Sequence, residues 1–144
     1  VTPHKFTINY INKKHYEKPM ASSRPRARIV KAKGKPPFVQ FYMNKEYMAH
    51  KDFIQRQMPK LELEGQIKLT VLFEMPMLKS WSNPQKARML KAFHSKKPDI
   101  DNLLKTVLDA ANGHIWKDDG QVVELHSAKR YSNTPKIIIK LEEI

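Results

Sequence analysis

A chain of 144 residues is enough for one domain, 1–144, with a single core, and no composition shift marks a second domain. Its 27 Lys and Arg against 14 Asp and Glu give a formal charge of +13, which points to a polyanionic partner and above all to nucleic acid. The lack of cysteine excludes disulfides and thiolate zinc sites, and no apolar run approaches the ~20 residues of a membrane span. With no leader pattern at its start and no cysteine, the chain reads as a cytoplasmic protein with no membrane partner.

Residues 4–10 alternate, with Phe6, Ile8 and Tyr10 on one side and Lys5, Thr7 and Asn9 on the other, and predict a first strand. Between Lys13 and Lys35, nine Lys or Arg meet one acid, Glu17, while Pro19, Pro25, Pro36 and Pro37 interrupt any regular element. This predicts a long basic, Pro-rich loop over about 12–38. Arg24, Arg26 and Arg28 alternate as they would along an extended arm, and we assign them to DNA contact. The alternative is a solvated insertion with no partner.

Residues 44–58 predict a helix capped by Asn44, with Tyr47, Ile54 and Met58 on one face. Residues 66–75 alternate again, placing Ile67, Leu69, Val71, Phe73 and Met75 inward, and Pro76 ends that strand. Residues 79–97 hold six Lys or Arg and no acid. Asn83-Pro84 starts a short helix there, with Ala87, Leu90 and Phe93 inward and Lys86 and Lys91 outward. Trp81 is open to base stacking, though packing is the commoner fate of a lone Trp.

The acids are not spread evenly. Six of the fourteen (Asp99, Asp101, Asp109, Asp118, Asp119 and Glu124) fall within residues 99–124. Pro98 keeps a helix from beginning earlier, and Leu103, Leu104, Val107, Leu108 and Ala111 then make one apolar stripe over about 101–112. Asp99 or Asp101 suits the N-cap and Asn112-Gly113 the C-cap. Lys105 stands one turn beyond Asp101, and Asp109 continues that polar face. Trp116, which we expect to anchor the helix end in the core, leads through Lys117-Asp118-Asp119 into a strand over 121–131. Either Asp118 or Asp119 can return beside the first pair, since adjacent residues in an extended entry face opposite ways.

Three carboxylates from two junctions suit a hard divalent cation, which prefers oxygen ligands. Lys96 and Lys97 run directly into them and are assigned to DNA contact, because a positive approach draws in a phosphodiester that bare carboxylates would repel. The plainer reading is that the aspartates only cap a helix and make an Asp-Gly turn. His94, His114 and His126 show no paired zinc spacing, and no Gly-x-Ser-x-Gly elbow occurs. Ser132–Pro135 turns the chain into a last strand with Ile137, Ile139 and Leu141 inward, antiparallel to the one before.

The run from Pro98 to Lys105 (Pro-Asp-Ile-Asp-Asn-Leu-Leu-Lys), then Leu108-Asp-Ala, then Trp116-Lys-Asp-Asp-Gly-Gln-Val resembles the signature of RusA-type Holliday-junction resolvases, the crossover junction endodeoxyribonucleases. The likeness covers about Lys96 to Val123, whereas the N-terminal half resembles the family only in being rich in Pro and Arg. The resemblance implies a Mg²⁺-dependent endonuclease, with Mn²⁺ able to substitute, acting as a homodimer and often prophage-encoded. It implies Asp99, Asp101 and Asp119 as the metal-binding carboxylates and Lys105 as an aid to catalysis. The expected activity is resolution of four-way (Holliday) junctions by paired symmetric nicks in DNA recombination and repair. Two other readings stand beside it: a basic nucleic-acid-binding protein without catalysis, and a metal nuclease acting on another nucleic-acid structure. The expected fold is α+β, a mixed sheet of about four strands with helices packed mainly on one face. Its order runs strand, basic loop, helix, strand, short helix, central helix, strand, strand.

Overall fold

In the computed structural model, residues 3–11 and 16–144 are described. Lys13 and Lys14, at the start of the basic stretch, lie outside them.

The frame is a strand whose sequence alternates without a break. In β4 (Ile67–Pro76), Ile67, Leu69, Val71, Phe73 and Met75 are buried, while the residues between them are at least partly open to water. One face of the sheet is therefore a core wall. On one side β6 (Lys136–Glu143) runs antiparallel, setting Leu141, Ile139 and Ile137 opposite Leu69, Val71 and Phe73. On the other side β5 (Val122–Ser132) runs parallel, and β1 (His4–Asn9) closes the far edge antiparallel to β6. The order β1-β6-β4-β5 is the mixed four-stranded sheet that the sequence predicts. β6 does run opposite to β5, but β4 lies between them, so the two are not hydrogen-bonded neighbours.

Parallel neighbours need a crossover. Here it contains α2 (Asn83–Met89) and α3 (Ile100–Ala111). Leu103, Val107, Ala110 and Ala111 of α3 join Ile54 of α1 (Lys45–Arg56) and Trp116 in one core with the sheet's inner face. Each fully buried Leu, Ile or Val contributes about 1.5–3 kcal/mol. The caps are where the sequence places them. Asn44 Oδ1 accepts from the Glu46 and Tyr47 amides, at 2.7 and 3.3 Å. Gly113, just past α3, sits at φ +75°, where a side chain would be strained.

Two expectations are corrected. The basic stretch is not a loop throughout, because β2 (Arg26–Val30) and β3 (Phe38–Tyr42) form a separate antiparallel ribbon within and beyond it. Arg26 faces Tyr42, Arg28 faces Gln40 and Val30 faces Phe38 across its ladder. The second correction concerns α2, which buries none of its residues; Leu90 and Phe93, expected inward, are 40% and 66% exposed. Lys91 takes φ +65° and turns the chain out of the helix. Residues 91–94 then run along the edge of β5, with Lys91 N–H donating to Tyr131 O, Tyr131 N–H to Ala92 O and His94 N–H to Lys129 O, each at 2.9 Å. Phe93 is left on the surface, where the Arg130 guanidinium covers its ring at 4.1 Å. Trp81 packs rather than standing free, its ring 5.2 Å from that of Tyr131. Among the described residues, no helix is long and apolar enough to cross a membrane.

Candidate active site and nucleic-acid interface

The N-terminus of α3 carries the first two carboxylates. Asp99 is its N-cap by backbone position (φ −69°, ψ 146°), yet its side chain caps nothing. Both its oxygens accept from Lys97 Nζ instead, at 2.8 and 2.9 Å. That ammonium holds the Asp99 carboxyl below the usual range, helped by the charge of Lys129, and Lys97 is raised in turn by Asp99 and then by Asp101. Asp101 and Lys105, one turn apart, both face solvent.

Lys129 was not singled out from the sequence, although a signal for it existed. It stands opposite buried Phe73 of β4, in register with Ser127 opposite Val71 and Tyr131 opposite Met75, where a lysine is out of place unless it is partnered. Its Nζ donates to Lys96 O at 2.8 Å and Pro98 O at 2.7 Å, tying the approach segment to the sheet. Burial lowers its pKa, and the nearby Asp99 opposes that shift.

The return after α3 separates the two candidate aspartates by role. Asp118 caps the short 3₁₀ turn Asp119–Gln121: its Oδ2 accepts from Gly120 N–H at 2.9 Å, and its own N–H donates to Gln121 Oε1 at 2.9 Å. Gln121 Nε2 in turn holds Leu63 O and Gly65 O, at 2.8 and 2.9 Å. Asp119 points the other way. Its Oδ1 accepts from the indole N–H of fully buried Trp116 at 2.8 Å, and Oδ2 takes no hydrogen bond among the described residues. Burial raises the Asp119 carboxyl against the lowering by Trp116, and the charges of Asp109 and Asp118 add to the rise. Asp109 accepts at Oδ2 from the Tyr47 hydroxyl at 2.7 Å, and that hydroxyl is pushed up to about 12 by burial and then by Asp109.

Two acidic pairs therefore stand along α3: Asp99 with Asp101 at its start, and Asp109 with Asp119 toward its end. Eight residues of helix separate Asp101 from Asp109, a rise of about 12 Å. Among the described residues, no three His, Asp or Glu side chains are grouped closely enough to form a ready-made cation cage. The chemistry of the donors still suits a hard cation, since all three proposed ligands are carboxylates, one of them oriented by an indole donor.

The basic residues fall into two sets. Lys96 and Lys97 are exposed and separated from Asp99 only by Pro98. Arg24, Arg26 and Arg28 are exposed as well, the last two on β2, where Arg28 Nε donates to Gln40 Oε1 at 2.8 Å and its guanidinium lies 5.0 Å from the Tyr42 ring centre. The two sets are linked through α3. Ser22 N–H donates to Asn102 O at 3.0 Å and Thr106 Oγ1 to Met20 O at 2.9 Å, so the chain leading to Arg24 is docked beside Asp101 and Lys105.

The chain resembles known proteins over most of its length. The family model for endodeoxyribonuclease RusA matches residues 17–142, a span that takes in the ribbon, both acidic pairs and every strand but β1. A protein of Bacillus subtilis (strain 168), named only as uncharacterized protein YqaN, is 34% identical over 148 aligned positions, covering 97% of this chain and 96% of that protein. A match that extends far past the aspartate-rich block settles the ancestry of the whole domain: the chain belongs to the RusA endodeoxyribonuclease family.

Proposed function

We propose that the protein is a Mg²⁺-dependent, structure-selective endonuclease that resolves four-way DNA junctions, with Asp99, Asp101 and Asp119 as the cation-holding carboxylates and Mn²⁺ able to substitute. The observation that carries this reading is the placement of exposed carboxylates at the start of α3 among Lys97, Lys105 and Lys129, in a chain of a nuclease family. A divalent cation bound there would supply Lewis acidity at a phosphodiester oxygen and ease the deprotonation of water.

The chain's own groups have separate tasks. Lys97 neutralises Asp99 in the resting protein and would turn to the substrate phosphate as that carboxylate is engaged. Lys105 would face the negative charge that grows on the phosphoryl oxygens. Trp116 fixes the orientation of Asp119, which leaves Oδ2 for a ligand. Lys129 holds the 96–98 segment in place by two carbonyls. Arg24, Arg26, Arg28, Lys96 and Lys97 would carry the phosphate contacts that give affinity without sequence information.

Paired nicks across a junction need two matched sites, so the reading includes a two-fold homodimer. It places the protein at the nucleoid of a bacterial cell, whether its gene is chromosomal or prophage-borne. The separation of the two acidic pairs favours one rival worth testing, a basic DNA binder in which the aspartates are structural. A third reading keeps the metal chemistry on another nucleic-acid structure. Incubating junction, linear duplex and RNA substrates in competition, in Mg²⁺, Mn²⁺ or EDTA, separates them. We expect nicking of the junction alone and only with a cation. Equal cleavage of linear duplex would contradict junction resolution, and binding without nicking in either metal would favour the binder.

A further inference from the structure

A groove of about 580 Å³ opens beside the candidate site, within the roughly 300–1,000 Å³ range of small-molecule sites. Its walls include Tyr10, Trp81, His94 and Tyr131, and Lys96, Lys97 and Pro98 lead from it directly to Asp99. Lys18 and Lys79 also line it, against the single acid Glu17.

The aromatic rings pack against one another at tilted angles and form a wall. Trp81 lies 5.2 Å from Tyr131, and His94 lies 4.8 Å from the same ring on a 57° tilt. His94 is only 9% exposed, and its Nδ1 has no hydrogen-bond partner among the described residues. A buried imidazole nitrogen left unpaired calls for an explanation. Burial, with the charges of Lys129 and Lys18, favours the neutral ring, which has one donor and one acceptor. The groove thus offers aromatic rings, the His94 imidazole and a cationic rim. Those are the features that hold a nucleobase on a phosphodiester strand.

We propose that this groove is a nucleobase subsite: an unstacked base, on the DNA strand whose phosphate reaches Asp99 and Asp101, packs against Trp81 and hydrogen-bonds the His94 imidazole. The inference rests on the nuclease reading above and adds to it a source of selectivity. Unstacking costs least where pairing is already disturbed, so such a subsite would favour branched over linear DNA and distinguish among bases at the cleavage position. His94 and Trp81 are specificity-determining residues in this account, with no part in the chemistry at the phosphate.

The test is equilibrium binding to synthetic four-way junctions in EDTA, where nothing is cut, with a single abasic site stepped through the positions flanking the branch point. We expect one position at which the missing base weakens wild-type binding by about 5- to 150-fold, the range carried by one stacked base. Trp81→Ala should weaken binding to the intact junction by a similar factor and be indifferent to the abasic one. His94→Leu should lose discrimination among the four bases at that position, and His94→Gln should keep part of it. Trp81 is partly exposed, so Trp81→Ala decides the matter should His94→Leu fail to fold. A flat abasic scan with tight junction binding overturns the subsite and leaves the nuclease reading intact. So does a Trp81→Ala loss that is equal on intact and abasic junctions. A wild type that binds no junction overturns both.

Discussion

On α3, Leu103, Val107, Ala110 and Ala111 are all but sealed from water, whereas on the β2–β3 ribbon Ile29, Phe38, Val39 and Phe41 are each more than half exposed. The helix is fixed by neighbours on several elements; among the described residues the ribbon is paired with itself and has no substantial packing against another strand or helix. An isolated two-stranded hairpin is marginal in water. The carboxylates thus sit on the packed part of the molecule, and Arg26 and Arg28 on a part that pairs chiefly with itself. That division suits the proposed nuclease, which would hold its carboxylates still while its arm adapts to DNA.

Breaking the rigid half should cost most. Leu103→Ala removes a buried side chain from the face of α3 that supports Asp99 and Asp101, and should lower unfolding stability by about 2–5 kcal/mol in urea melts. Next in size is a pH effect centred on His50, buried on α1 with Nε2 2.8 Å from the Tyr10 hydroxyl. Burial pushes its pKa down to about 4. An unfolded His titrates near about 6.5, so between those values the unfolded chain holds the extra proton. The stability tied to a neutral His50 is complete above about pH 6.5 and is lost as pH falls toward about 4, by about 3 kcal/mol. The stability difference between wild type and His50→Gln, measured by urea at each pH, should shrink over that window; a constant difference would contradict the assignment.

The ribbon should answer differently. Arg28→Ala should weaken DNA binding evenly across sequences and reduce the salt dependence by about one phosphate contact, with the melting curve unchanged. An unaltered salt slope would remove Arg28 from the interface. The smallest effect belongs to Phe41→Ala, which should move stability by less than about 0.5 kcal/mol although it deletes a large apolar side chain. A loss as large as that of Leu103→Ala would mean that the ribbon's apolar face is covered in solution, by a second copy or by the body of the protein.

The same contrast explains what could be read from the sequence. Strands β4 and β6 and helix α3 declare themselves because burial on one face imposes a period, as in Ile67 to Met75 or Leu103 to Ala111. The ribbon has no buried face to impose one, and its prolines and charges look like those of a loop. Phe93 misled for a related reason: helical spacing put it inward, but Lys91 leaves the helix at φ +65° before the pattern can matter. In the site, the Pro-Asp-Ile-Asp and Asp-Asp-Gly junctions were legible as carboxylates at chain turns. That Asp118 caps the turn while Asp119 meets the Trp116 indole was not, because it depends on which way one extended residue faces. Lys129 lay in plain view at an inward strand position, but its partners are the carbonyls of Lys96 and Pro98, more than thirty residues away in the chain.

The most direct test of the central claim is Asp101→Asn beside wild type on a synthetic mobile four-way junction, with nicking and binding measured on the same preparation. In Mg²⁺ the wild type should give paired symmetric nicks, and the variant should give none while binding the junction as tightly or more so, since one negative charge has been removed. Nicking by Asp101→Asn at the wild-type rate would contradict the account, because the carboxylate at the start of α3 would then have no part in the reaction.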